Sequence, residues 1–234
     1  MKLKFLGIGS AYNTKWYNSN AYFYCNNNLF LLDCGESTFA RVKEKGILDG
    51  MLGNCYVFLT HLHADHAGSL PSLCSFFSGK LNKKVRVIYP GQEVDDYLRL
   101  AGIPCNDYIH VTDFNALPAG IHAQSLMTEH IPGYPSYGWI LSDENETIYF
   151  SGDSKTILPN VVSKLLDKSL TMVYHDVEYN AEEKADGCHL QYQMLLRTIP
   201  PEVRNRFCCM HMNCDYRHRA VADGFLVAQT DDIE

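Results

Sequence analysis

The sequence predicts an α/β chain, a sandwich of sheets with helices packed outside, and three observations carry that expectation. Short apolar runs rich in β-branched and aromatic residues alternate with segments of helical length. The residues able to hold a metal fall at the ends of those runs, where binding groups usually concentrate. Across the 234 residues there is no linker, internal repeat or low-complexity tract, so a single domain spanning 1–234 is expected.

In chain order, residues 2–6 read as a strand ending at Gly7-Ile8-Gly9-Ser10, a turn whose glycines allow close backbone approach. Its spacing is not that of a dinucleotide loop. Residues 21–24 and 29–32 pair as a hairpin around the turn-forming Asn26-Asn27-Asn28. Asp33-Cys34-Gly35-Glu36-Ser37 closes the hairpin and opens a helix to about Lys45. The apolar run 55–59 is a buried strand. Gly68, Ser69 and Pro71 mark the start of a helix over 70–77, with Ser69 as cap and Pro71 in the first turn. A strand at 85–89, a helix at 93–101, a connecting stretch at 103–120 and a strand at 121–127 follow. Residues 139–141 and 147–150 form a second hairpin. Then come a helix at 157–166, a strand at 171–174, a helix at 190–198, a strand at 207–210 and a last helix at 220–228. Five tips, at 61–66, His130, Asp153, His175 with Asp176, and His211, can converge on one edge.

An apolar content of 46% with 12% aromatics is enough for a sizeable core. The formal net charge of −7 argues against a protein that holds a long polyanion by electrostatics. Divalent ions gathered at one spot would still draw a small anion, because local charge in a cleft outweighs the distant average. Nine cysteines are scattered singly apart from Cys208-Cys209, with no zinc-ribbon spacing. The odd count, and a start at Met1-Lys2-Leu3-Lys4-Phe5-Leu6-Gly7 unlike a secretory leader, lead us to expect reduced thiols in a cytoplasm. No apolar stretch approaches membrane-spanning length.

The densest chemistry is at Thr60-His61-Leu62-His63-Ala64-Asp65-His66-Ala67-Gly68. Imidazoles suit zinc and similar ions, and the carboxylate adds a hard, charged donor. His61 and His63, two apart, share one face of an extended strand end, whereas on a helix they would diverge. Asp65 and His66 are adjacent, so they converge only if the chain curls. A strand tip delivering two His, then a turn delivering Asp and His, suits two metals. The plainer reading is a polar loop that happens to be rich in histidine.

In this order, Gly7-Ile8-Gly9-Ser10, Asp33-Cys34-Gly35, the motif at 61–66, His130, Ser151-Gly152-Asp153-Ser154 and His211 resemble the metallo-β-lactamase superfamily over nearly the whole chain. The resemblance implies a four-layer αββα sandwich with a two-metal site at one edge. By residue, it implies that His61, His63 and His130 bind one ion, that Asp65, His66 and His211 bind the second, and that Asp153 bridges them. The implied cofactors are two divalent metal ions, zinc first and manganese as the alternative. Within the superfamily the chain resembles the RNase Z branch through Asp65 followed by His66, His130-Ile131-Pro132 before Tyr137-Gly138-Trp139, and Ser151-Gly152-Asp153-Ser154. His175-Asp176 with the later His189 resembles that branch's His-Glu motif and downstream His, although Asp176 stands where Glu is usual. By that match Asp65, His189 and Asp176 are the catalytic residues, with His189 the proton donor to the leaving oxygen, held by Asp176.

Two departures bear on substrate. RNase Z enzymes that process tRNA carry a long basic arm, whereas the stretch 103–120 is short and contains Asp107 and Asp113. His211 leads into Met212-Asn213-Cys214-Asp215-Tyr216-Arg217, a looser match to the family's ending. An armless, acidic chain of this branch is similar to the phage anti-Pycsar cyclic nucleotide phosphodiesterases, homodimers that degrade cyclic pyrimidine monophosphates such as cCMP and cUMP. The resemblance therefore implies a metal-dependent phosphodiesterase that uses a hydroxide activated between two ions on a small anionic nucleotide. It also implies a homodimer in the cytoplasm (the host's, if phage-encoded), with no membrane partner and no stable hold on polymeric nucleic acid. The alternatives are a tRNA 3′-processing endoribonuclease of RNase Z type and a non-catalytic module that sequesters a nucleotide. For substrate contacts, Ser19 and Asn20 are candidates to bond a phosphate, or simply cap a turn. Tyr134 and Tyr137, with Tyr12, are candidates to stack on a base, or pack on the fold. His110, His122 and His218 read as structural or exposed.

Overall fold

The computed structural model describes residues 1–118, 120–182 and 187–230. Its first half contains β1 (Lys4–Phe5), β2 (Ala21–Cys25), β3 (Asn28–Leu32), α1 (Thr38–Glu44), β4 (Cys55–Phe58), α2 (Ala64–Ala67), α3 (Leu70–Leu81), β5 (Val85–Ile88), α4 (Glu93–Leu100) and β6 (Tyr108–Val111). The second half contains β7 (His122–Met127), β8 (Tyr137–Ser142), β9 (Thr147–Phe150), α5 (Pro159–Leu166), β10 (Met172–Asp176), α6 (Tyr192–Thr198), β11 (Phe207–Met210), α7 (Arg217–Ala222) and β12 (Leu226–Val227).

Each half makes one six-stranded sheet, ordered β1-β2-β3-β4-β5-β6 and β12-β11-β10-β9-β8-β7. In both, three antiparallel strands lead into a parallel set. The first hairpin turns at Asn26 and Asn27, both with positive φ, the backbone twist that suits a two-residue turn.

Strict alternation along the central strands explains the layering. In β4 and the residue after it, Cys55, Val57 and Leu59 pack beneath helices α1, α3 and α4, whereas Tyr56 and Phe58 face the other sheet. Leu29 and Leu31 of β3 divide from Phe30 and Leu32 in the same way. A strand buried on both faces reads as a continuous apolar run, which is how 55–59 stands in the sequence. Helix α3 buries Leu70, Leu73, Cys74 and Phe77, one stripe at helical spacing. On the far side, Val161, Leu165, Leu195 and Ala220 from α5, α6 and α7 join the cluster of the inner faces. The expected α/β four-layer sandwich is the architecture found.

Three expectations need correction. The first strand is Lys4–Phe5 rather than 2–6. The stretch 103–120 contains a strand, β6, held by parallel pairing with β5 and by Asp95 of α4, which accepts from Tyr108 Oη at 2.7 Å and pairs with His110 Nδ1 at 2.8 Å. Such a strand is fixed by tertiary bonds and not by a local apolar pattern. The last helix stops at Ala222 because Gly224 adopts φ +92° and the Phe225 N–H returns to the Ala220 carbonyl, after which the chain pairs with β11 as β12. Among the described residues no helix is long and apolar enough to cross a membrane.

The two sheets meet through aromatic rings. Phe58 packs edge-on against Trp139 at 5.1 Å and near Phe30 at 6.3 Å, and Trp139 Nε1 donates to the Leu59 carbonyl at 2.9 Å, one residue before Thr60. Replacing Phe58 by Ala should therefore cost about 3–5 kcal/mol of stability. Urea unfolding followed by tryptophan fluorescence measures it, and an unshifted midpoint would contradict this role for the ring.

Candidate metal centre

The C-terminal ends of β4, β9, β10 and β11 open onto one edge of the sandwich, the usual place for a site in parallel sheets. There the motif at 61–66 takes the form its spacing requires. His61 and His63 lie on extended backbone past β4, and the single helical turn of α2 brings Asp65 and His66 back beside them. His130 follows β7, Asp153 follows β9, Asp176 ends β10, and His211 follows β11 with φ +59°, a strained conformation for an imidazole residue.

Seven of these side chains form two hollows. In the first, His61 Nε2 and His63 Nδ1 are 2.9 Å apart, His130 Nε2 is 3.3 Å from His63 Nδ1, and Asp153 Oδ2 lies 3.9 Å from His61 and 3.7 Å from His130. In the second, Asp65 Oδ2 is 3.1 Å from His66 Nε2 and 3.2 Å from His211 Nε2, while Asp153 Oδ1 is 3.1 and 3.4 Å from the same nitrogens. Each hollow brings its four donor atoms within 4.8 Å of one another. Asp153 belongs to both, with one oxygen for each.

The donor chemistry fits divalent metal. Burial and the neighbouring His66 hold His61 well below the usual imidazole range, and burial and His130 lower His63, so both rings carry a free lone pair. Burial pushes Asp153 and Asp65 up, but His211 and His66 around the first, and His66 and His211 around the second, outweigh it and keep both carboxyls ionised. His66 Nε2 and Asp153 Oδ1 are buried, lie 3.1 Å apart, and have no well-aligned hydrogen-bond partner among the described residues. The lone pairs of His61 and His63, the ionised carboxylates and two orphaned polar atoms aimed at one point are what a metal ion satisfies. Burial lowers the pKa of His66, but the carboxylates of Asp153, Asp65 and Asp33 outweigh it and raise it, so a metal takes its place there by displacing a proton.

The surrounding residues aim these donors. Asp33, at φ +64° past β3, accepts from the Thr60 N–H at 2.8 Å and from Thr60 Oγ1 at 2.9 Å, and lies 2.7 Å from His66 Nδ1, which turns Nε2 toward the hollow. Asp33 appears in the sequence only as part of a family pattern; its place after an apolar strand is the signal that could have marked it. His130 donates Nδ1–H to the Cys188 carbonyl at 3.0 Å. Gly152 sits where a Cβ would meet that of Thr60 at 2.4 Å, so only glycine lets the Asp153 loop pass under β4.

Ser19 and Asn20 are buried, and their polar atoms bond the fold around the hollows. Ser19 Oγ accepts from the His211 N–H at 3.1 Å; Asn20 accepts from the Gly35 N–H at 2.6 Å and from Thr38 Oγ1, and donates to the Asp65 carbonyl at 3.4 Å. Tyr134 stacks on His63 at 4.7 Å, beside the first hollow. Tyr137 instead packs edge-on to Tyr89, among residues beneath the helices.

His189 stands at the mouth, 21% exposed, its ring 5.0 Å from that of His211 and 5.3 Å from that of His130. Its Nδ1 is 2.8 Å from Asp176 Oδ2, leaving Nε2 for a ligand. Burial lowers its pKa, but the Asp176 hydrogen bond and the charges of Asp153 and Asp176 carry it up to about 10. Asp176 is fully buried and also accepts from the Ser154 N–H at 3.2 Å. His175, stacked on Phe207, supports the same carboxylate from behind, its Nδ1 3.0 Å from Asp176 Oδ1. If Asp33 aims His66, then Asp33→Ala should weaken metal binding about 10–100-fold. Calorimetric titration with zinc reads this directly, and wild-type affinity in the variant would remove Asp33 from the site's support.

The fold is shared with solved structures, and the chain has known relatives along most of its length. The metallo-β-lactamase fold protein YhfI from Bacillus subtilis superposes with a TM-score of 0.74 at 14% identity, over 96% of this chain and 94% of the other. An anti-Pycsar protein Apyc1 from Paenibacillus xerothermodurans is 26% identical over 231 residues, 90% of this chain and 87% of the relative. One from Bacillus phage 010DV004 is 29% identical over 239 residues, covering 90% and 88%. The family model for anti-Pycsar protein Apyc1 matches residues 1–230, and this chain belongs to that family.

Proposed function

We propose that the protein is a metal-dependent phosphodiesterase that hydrolyses small cyclic nucleotides, cyclic pyrimidine monophosphates foremost. The observation that carries the reading is the pair of hollows sharing Asp153, with the His189–Asp176 pair at their mouth. His61, His63, His130 and Asp153 would hold one divalent ion, and Asp65, His66, Asp153 and His211 a second, zinc or manganese by donor type. Ions bound there supply Lewis acidity and a nucleophile at neutral pH.

The chain's own groups account for the remaining steps. Paired imidazoles with only two carboxylates in the hollows leave the loaded site attractive to an anion such as a phosphodiester. His189, protonated and fixed through Nδ1 by Asp176, presents Nε2–H to the oxygen that leaves phosphorus. Tyr134, half-buried on His63, offers an aromatic surface beside the reacting centre for a base. Where a tRNA-gripping arm would stand, the chain has β6 and a short 3-10 turn at Phe114–Ala116, which favours a small substrate over a folded RNA. The likeness to anti-Pycsar enzymes described from the sequence adds the cyclic pyrimidine class, a homodimeric state and a place in the host cytoplasm to the proposal.

Incubating purified protein with a panel of cyclic mononucleotides and a precursor tRNA, with and without chelator, decides the substrate class. Chelator-sensitive opening of a cyclic pyrimidine nucleotide is expected; cleavage of tRNA alone, or stoichiometric binding without product, would overturn the proposal. His63→Ala and Asp153→Ala should each abolish turnover, and full rate with full metal content in either would refute the site. His189→Ala should slow turnover about 10²–10⁴-fold with metal content unchanged. Loss of metal in that variant would make His189 structural instead.

A further inference from the structure

Beside the two hollows the fold gathers a third set of donors that the proposed reaction does not use as a set. One atom each from His130, Cys188 and His189 lies within 4.8 Å of the other two. Cys188 is a free, half-buried thiol, and its neighbours hold it in place. Its carbonyl receives the His130 Nδ1–H at 3.0 Å, and the next residue, His189, is tied through Nδ1 to Asp176 at 2.8 Å. The sulfur is therefore presented to the mouth of the site by a pinned backbone.

This set differs in kind from the hollows, which offer only imidazole nitrogen and carboxylate oxygen. A thiolate with two imidazoles prefers thiophilic ions such as cadmium or excess zinc, and discriminates against manganese or magnesium. The set also overlaps both working parts of the site. The His130 ring faces His63 and Asp153 through Nε2 and the Cys188 carbonyl through Nδ1, so an ion drawn to the sulfur takes the ring from one of those duties. An ion on His189 Nε2 occupies the nitrogen that would carry the proton to the leaving group.

We propose that His130, Cys188 and His189 form a third, inhibitory site for a thiophilic divalent cation at the mouth of the centre. Binding of the ion rests on the donor geometry alone, and only its inhibitory effect rests on the roles proposed above for His130 and His189.

Cadmium is the probe, added to metal-loaded protein in which the two exposed cysteines, Cys105 and Cys214, have been changed to Ser. The expected result is a saturable sulfur-to-cadmium charge-transfer absorption, absent after Cys188→Ser and weakened about tenfold or more in affinity by His189→Ala. Cadmium should also inhibit turnover, and Cys188→Ser should shift the inhibiting concentration up about tenfold or more relative to that variant's own rate. An absorption that survives Cys188→Ser, or is indifferent to His189→Ala, overturns the site. Binding without inhibition overturns its regulatory role. The absorption decides the site even if cyclic nucleotides prove not to be the substrate.

Discussion

The burial of Asp153 between donors from both sheets is the interaction on which the functional edge depends. Only 3% exposed, its carboxylate has His61, His130 and His189 around Oδ2 and His66 and His211 around Oδ1. An ionised carboxylate in such a place is costly unless opposite charge or metal meets it. The ends of β4, β7, β9 and β11 must therefore reach the same point, and the paired half-sheets deliver them there. The rest of the sandwich can be understood as a frame that brings these four strand ends together.

The frame is reinforced one layer out. Thr128 Oγ1 and Ser136 Oγ donate to the Asp153 carbonyl at 3.3 and 3.2 Å, Asp33 fixes Thr60 and His66, Asn20 holds the loop of Asp65, and Ser19 holds the backbone of His211. Asp65, His66, Asp153 and His211 are thus each held, through side chain or backbone, before any ion arrives. Such preorganisation lets a site of closely spaced titratable groups favour metal over protons. It also explains the strained backbone at His211 and Asp33, which bonds on either side hold in place.

Much of this was legible in the sequence because its signals are local. The spacing of His61, His63, Asp65 and His66 dictates a strand tip followed by a curl, and the apolar run before it dictates a strand buried on both faces. The tips at His130, Asp153 and His211 follow strands readable by the same pattern, and the structure gathers them. Four things escaped because their causes are not local. Strand β6 exists through Asp95 on a different element; the last helix is cut short by Gly224 and replaced by β12; and the hydrogen bonds of Ser19 and Asn20, read as phosphate contacts or turn caps, to His211, Gly35 and Asp65 join residues far apart in the chain. The fourth, Asp33, gains its role only from the sheet order that sets it beside Thr60.

The most direct test of a shared carboxylate between two metal positions is anomalous diffraction from crystals loaded with zinc. Two peaks about 3.5–4 Å apart, one beside each oxygen of Asp153, are the predicted result. A single peak, or two peaks of which only one touches Asp153, would contradict it.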